Sequence, residues 1–211
     1  MPSTIGIIGA GKLGIVLAQL AGKAGYRVAI SGSGAADTIR LIVETLAPGA
    51  VAATNYEVAR QSDIIILALP LGKFRQLTPD DFSGKLVIDA TNYWWEVDGP
   101  RHDILPDSQS SSEAIQEFLP AARVVKALSH MGYHHLHDEA RPTGDPARKA
   151  IAIAGDYPDD IAIVAKLVDT LGFDPLPIGD LAAGQRLEPG SDAFGADVDI
   201  ATLRQLLGIT S

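Results

Sequence analysis

Two hydrophobic rhythms alternate along this chain. Apolar runs predict strands at residues 4–8, 27–30, 50–53, 64–69, 85–90, 123–128, 148–154 and 175–178, and the continuous β-branched run at 64–69, with 85–90 of the same kind, is what a strand buried on both faces requires. Between them, apolar positions spaced three and four apart predict helices over residues 13–24, 37–46, 55–61, 112–118, 159–171 and 196–207. Punctuation agrees with these bounds. Gly25, Pro48-Gly49 and Gly172 follow helices, Thr54 or Asn55 stands where an N-cap belongs, and Pro70, without an N–H, ends a strand. Strands alternating with helices specify an α/β fold with a doubly wound, mostly parallel sheet. Regular spacing lapses over residues 91–112, where Pro100, Pro106 and a serine tract mark a long loop, and over residues 129–137, where Gly132 argues against a helix.

The first strand runs directly into Gly9-Ala10-Gly11-Lys12-Leu13-Gly14. A G-x-G-x-x-G turn between a strand and a helix is the fingerprint of a Rossmann-like NAD(P)-binding fold. One glycine permits the tight bend, one lets backbone approach the pyrophosphate, and one allows close packing of helix on strand. The following helix offers its unsatisfied N–H groups to that anion. Residues 1–128 are then a dinucleotide-binding domain, and residues 129–211 a small C-terminal α/β extension packed on it and lining the second substrate's cleft.

An acidic residue about 20 positions on would bind the ribose hydroxyls of NAD. Ser31-Gly32-Ser33 stands there instead, and hydroxyl and N–H donors suit a 2′-phosphate that a carboxylate would repel. NADP is therefore the expected cofactor. The usual arginine neighbour is absent, Arg40 being the nearest later cation. Ligands in such sheets lie beyond the carboxyl ends of the strands, which adds Leu69 and Pro70 on the ribose and adenine side and Asn92 near the nicotinamide.

With 211 residues there is room for one sizeable core, and a net charge of −9 argues against nucleic acid or an anionic membrane as partner. The absence of cysteine excludes disulfides and thiolate chemistry, and no stretch reads as a signal peptide or a membrane span. A soluble, cytoplasmic protein acting on a small molecule is the expectation.

The chain offers little acid or base for reducing a carbonyl, since no lysine follows Tyr93 or Tyr133 at the four-residue spacing of a Tyr-Lys pair. Lys126, His130 and Tyr133 are the remaining proton donors, with His130 and Tyr133 the catalytic candidates. His130, His134, His135 and His137 crowd one segment, but His134 and His135 are adjacent and cannot easily face one ion. A polar pocket loop without a metal is the preferred reading. Trp94 and Trp95 suit either a stacking lid over a planar ligand or a subunit contact. Hydride transfer to another redox ring would need only stacking, orientation and exclusion of water.

These segments resemble the NADPH-dependent coenzyme F-420 reductases. The likeness rests on GAGKLG, on ISGS at residues 30–33, on DIIILALP at 63–70, on LVIDATN at 86–92, on ARVVKALS at 122–129, and on the late run from Gly155 to Pro189. The cytoplasmic domains of some membrane ferric reductases are similar too. The resemblance implies an NADP site at Gly9, Gly11, Leu13, Ser31 and Ser33. Lys12, Gly14, Gly32, Leu69, Pro70 and Asn92 complete the expected cofactor set. It further implies a deazaflavin (coenzyme F-420) or flavin-like acceptor near Asn92 and Ser129, and a homodimer, while His130, outside the family's pattern, is added as a residue able to hydrogen-bond the acceptor's polar edge. Reduction of an imine, quinone or ferric chelate, or a non-catalytic NADP-sensing module, are the other readings.

Overall fold

The computed structural model describes residues 3–106 and 108–209. One eight-stranded sheet runs through it in the order β3-β2-β1-β4-β5-β6-β7-β8. The strands are β1 (Thr4–Ile8), β2 (Arg27–Ser31), β3 (Val51–Ala53), β4 (Ile64–Leu67), β5 (Leu86–Asp89), β6 (Arg123–Lys126), β7 (Ala150–Gly155) and β8 (Asp174–Gly179). All pairings are parallel except β6 with β7. The α/β doubly wound architecture is thus borne out, and β7 and β8, which follow residue 129, continue the same sheet.

The uninterrupted apolar runs are explained by burial on both faces. In β4, Ile66 joins the core beneath α1 (Lys12–Lys23) and α7 (Pro158–Leu171), whereas Ile65 and Leu67 join the opposite core. That opposite core includes Val58 of α3 (Asn55–Gln61) and Ile115 of α5 (Ser111–Phe118). The remaining helices are α2 (Ala36–Leu46), α4 (Trp95–Asp98), α6 (Tyr133–Asp138) and α8 (Ile200–Leu206). Thr54 caps α3 and Ser110 caps α5 through reciprocal boxes with Glu57 and Glu113. Gly172, at φ 107°, ends α7 in the left-handed conformation that favours glycine.

Two expectations are corrected. Residues 133–138 form helix α6 rather than a loop, because Gly132 is its extended N-cap and Leu136 buries against α1's core. Part of the 91–112 segment is also ordered, as α4 and a 3-10 turn at Arg101–Asp103. Further 3-10 turns at Leu71–Gln76, Pro79–Phe82 and Leu181–Leu187 carry no periodic signal that separates them from loops.

Candidate functional site

β1 lies between β2 and β4, so the strand order reverses there and a crevice opens beyond the carboxyl ends of β1 and β4. The three glycines of the turn are constrained in different ways. Gly9 adopts φ 120°, and a Cβ there would sit 2.3 Å from the Ala68 carbonyl oxygen of the β4 turn. At Gly14 a Cβ would sit 1.8 Å from the Gly9 carbonyl oxygen. Gly11 has an ordinary φ, and a Cβ on it would meet no atom within 4 Å. No protein atom therefore requires glycine at Gly11, and the space a side chain would fill is open to a ligand. Gly11 is also the N-cap of α1, with no side chain capping the helix and no acidic residue in its first turn. Open space beside uncapped N–H groups fits a dinucleotide pyrophosphate.

A cleft of about 540 Å³ extends from this turn between the ends of β1, β2 and β4. It brings together Gly9, Gly11, Gly32, Ser33, Leu69 and Pro70 of the expected cofactor set, with Asn55 and Lys73 in addition. Gly14 is buried beneath the turn, Leu13 packs toward the core, and the Lys12 ammonium lies 5.6 Å from the Tyr133 ring centre. Ser31 lies outside this cleft. Its side chain is buried, and its hydroxyl donates to Asn55 Oδ1 at 2.7 Å. The expected 2′-phosphate donor at the end of β2 is therefore a structural link to α3, and Gly32 and Ser33 are the residues facing the cleft. Arg40 pairs with Asp37 on the exposed side of α2 and lines a separate hollow with Glu44 and Val51.

At the ends of β5 and β6, Asp89 and Lys126 face each other, both wholly buried. Lys126 Nζ donates to Asp89 Oδ2 (3.0 Å), to the Thr91 carbonyl (2.7 Å) and to Ser111 Oγ (3.1 Å). Asp89 also accepts from the Thr91 amide and hydroxyl and from Ser112 Oγ. With its three donors engaged, Lys126 is no proton source for a substrate. Its work is to tie the β5 turn to the start of α5. Asp89, Ser111 and Ser112 escaped the sequence reading. The signal was an acid and a lysine interrupting two apolar runs at strand ends, LVID and RVVK.

Just beyond, Asn92 Nδ2 donates to the Ser129 carbonyl at 2.7 Å, so these two expected acceptor-side residues do meet. Asn92 Oδ1 and Ser129 Oγ are buried without a partner among the described residues. Before Ser129, Leu128 adopts φ 63°, a left-handed conformation uncommon outside glycine. This bend takes the chain off the sheet, and the ring of His130 replaces it. Extending the register Lys126 with Ala154 places Ala152 opposite Leu128, and the Ala152 amide instead donates to His130 Nε2 at 3.1 Å. Burial lowers the His130 pKa to about 4, against a smaller opposing pull from the Ala193 backbone. His130 is thus a neutral, buried stand-in for a strand, neither a proton donor near pH 7 nor a surface for an acceptor.

Tyr133 remains half-buried at the start of α6, with His134 tilted against it at 4.0 Å between ring centres. His135 faces Asp197 and His137 faces Asp138, two separate pairs. Among the described residues no group of three or more His, Cys, Asp or Glu is placed to hold a metal ion. Trp94 packs edge-on to Phe194 at 5.7 Å, and Trp94, Trp95 and Val97 are all exposed. No helix of the described chain is long and apolar enough to cross a membrane.

A family-wide profile described as "NADP oxidoreductase coenzyme F420-dependent" matches residues 4–93, which span the glycine turn, the cleft and Asn92. The metalloreductase STEAP3 of Rattus norvegicus is 25% identical over 187 residues, covering 87% of this chain. The protein YjhV of Escherichia coli K12 is 36% identical over 62 residues, 29% of this chain, and the two matches span only 45% of YjhV and 35% of STEAP3. Among solved structures, a hypothetical protein of Sinorhizobium meliloti superposes with a TM-score of 0.78 at 26% identity, over 93% of this chain and 95% of that one. A candidate F420-dependent NADP reductase of Arthrobacter sp. FB24 gives a TM-score of 0.71 at 22% identity, over 86% of both chains, and shares the fold. Residues 4–93 therefore match the model of the coenzyme F420-dependent NADP oxidoreductases, and the glycine turn and the cleft lie within that match.

Proposed function

We propose that this protein transfers hydride between NADPH and a planar redox ring, a deazaflavin such as coenzyme F-420 or a flavin-like acceptor. The observation that carries this reading is the open cradle at Gly11 beside the uncapped start of α1, joined to a cleft whose neighbouring buried acid and base are already engaged. Bound there, the nicotinamide supplies the hydride itself. Gly9, Gly11 and the first turn of α1 hold the pyrophosphate, and Gly32 and Ser33 face the adenine ribose. Leu69 and Pro70 form an apolar wall that excludes water. Asn92, anchored on the Ser129 carbonyl, offers Oδ1, and Ser129 offers its hydroxyl, to the amide of the nicotinamide or a carbonyl of the acceptor. Hydride passes from the nicotinamide carbon to the acceptor ring, and the one proton that completes the reduced ring's N–H is taken from solvent, so no buried protein acid is needed to supply it. The reading takes the chain as a homodimer, for which the exposed Trp95 and Val97 supply an apolar surface.

Mixing the protein with NADPH and oxidised coenzyme F-420 should bleach the deazaflavin absorbance, and the reverse mixture should restore it. Failure in both directions across the pH range would end this reading. Tyr133, half-buried beside Lys12, favours one second reading, reduction of an imine or ferric chelate with Tyr133 donating a proton or lining the entrance. Turnover of such a substrate that is lost in Tyr133→Phe, with no F-420 turnover, would select it.

A further inference from the structure

The β2 turn contains no cation to meet a 2′-phosphate, and the nearest one, Arg40, is paired with Asp37 and lines another hollow. The opposite wall does contain one. The 3-10 turn Leu71–Gln76 repeats every three residues, so it presents three distinct rows. Leu71 and Phe74 enter the core, while Gly72 and Arg75 bond the 95–104 segment through Asp98 and the Ile104 carbonyl. Lys73 and Gln76 are left to face the cleft. Lys73 is the one charged residue lining it, no carboxylate lines it, and Lys73 has no ion-pair partner among the described residues. In a chain with net charge −9, an unpaired lysine in a carboxylate-free cleft selects an anion.

We propose that Lys73 supplies the charge for the cofactor's 2′-phosphate from across the cleft, with Ser33 donating from the β2 side, and thereby sets the preference for NADPH over NADH. This rests on reading the cleft as an NADP site. A flexible four-carbon stem lets the ammonium reach over the adenine ribose, and an ammonium needs no fixed fork geometry to pair with phosphate. Specificity would then come from the β4 side of the fold, and not from the turn after β2 where a basic residue normally serves.

The test is direct titration of the whole protein with NADPH and with NADH, followed by nucleotide fluorescence, for the wild type, Lys73→Met and Lys73→Arg. Lys73 is exposed, so unchanged melting curves are expected for both variants. Lys73→Met should lose about tenfold in NADPH affinity with NADH unchanged, and Lys73→Arg should keep most of it. The wild-type preference should shrink as salt rises above physiological ionic strength. If Lys73→Met leaves NADPH affinity intact, or weakens both nucleotides equally, the role of Lys73 is overturned while the NADP site stands. If the wild type binds neither nucleotide, the NADP reading itself fails and this assignment falls with it.

Discussion

Lys126 Nζ and Asp89 Oδ2 lie 3.0 Å apart with both side chains fully excluded from solvent, side by side at the ends of neighbouring strands. Two charges taken out of water are tolerated only when every remaining donor and acceptor is satisfied. Here Thr91, Ser111 and Ser112 do that.

Removing one partner should therefore cost far more than removing both. Lys126→Met leaves an uncompensated carboxylate and is expected to lower unfolding free energy by about 3–5 kcal/mol, whereas Lys126→Met combined with Asp89→Leu should recover much of the loss. Urea denaturation of the two single variants and the double variant checks this. A double variant no more stable than the singles would show that the pair's hydrogen-bonded neighbours, not its charges, hold the site end of β5 and β6.

His130 makes a pH prediction of definite sign. Its folded pKa of about 4 lies below the 6.5 of a free histidine, so between those values the unfolded chain binds the extra proton. Stability from this group is complete above pH 6.5 and is lost as pH falls toward 4, by about 3 kcal/mol in all. Other groups titrate in that window, so the measurable quantity is the wild-type slope minus that of His130→Gln, whose amide is able to accept from Ala152. Equal slopes would mean that His130 is not buried neutral.

How much of this was legible in advance depended on whether a residue's job was set locally. The sheet was legible because each strand's burial is written in its own run, as in residues 64–67, and the glycine turn because its sterics involve adjacent elements. His130 was not. Its role comes from Ala152, twenty-two residues away on the antiparallel strand, and from the bend at Leu128 that makes room for the ring. The bond from Ser31 to Asn55 was hidden for the same reason, since Asn55 belongs to α3. Lys73 was invisible because a short 3-10 turn shows a period of three over too few residues to separate from a loop.

The glycine turn separates fold from ligand in one pair of substitutions. Gly14→Ala drives a methyl group into the Gly9 carbonyl and should destabilise the protein by about 3 kcal/mol or more. Gly11→Ala meets no protein atom and at an N-cap should cost at most about 1 kcal/mol. Yet its methyl would occupy the pyrophosphate cradle, so dinucleotide affinity should fall by at least about tenfold. Melting curves and nucleotide titration of both variants distinguish the two effects. Unimpaired binding by a folded Gly11→Ala protein would move the pyrophosphate elsewhere.

Ser31 and Ser33, two residues apart at the end of β2, should respond oppositely. Ser31→Ala removes a buried donor and strands Asn55 Oδ1, an expected loss of about 1 kcal/mol in stability with little change in the ratio of NADPH to NADH affinity. Ser33 is exposed and lines the cleft, so Ser33→Asp should leave the melting curve unchanged. It would place a carboxylate beside the 2′-phosphate, reducing NADPH affinity relative to NADH by about tenfold, a difference that salt should narrow. Were Ser31→Ala the variant that altered the ratio and Ser33→Asp the silent one, the phosphate would have to sit below the turn, against Asn55, and the hydroxyl of Ser31 would have to turn away from its present partner to meet it.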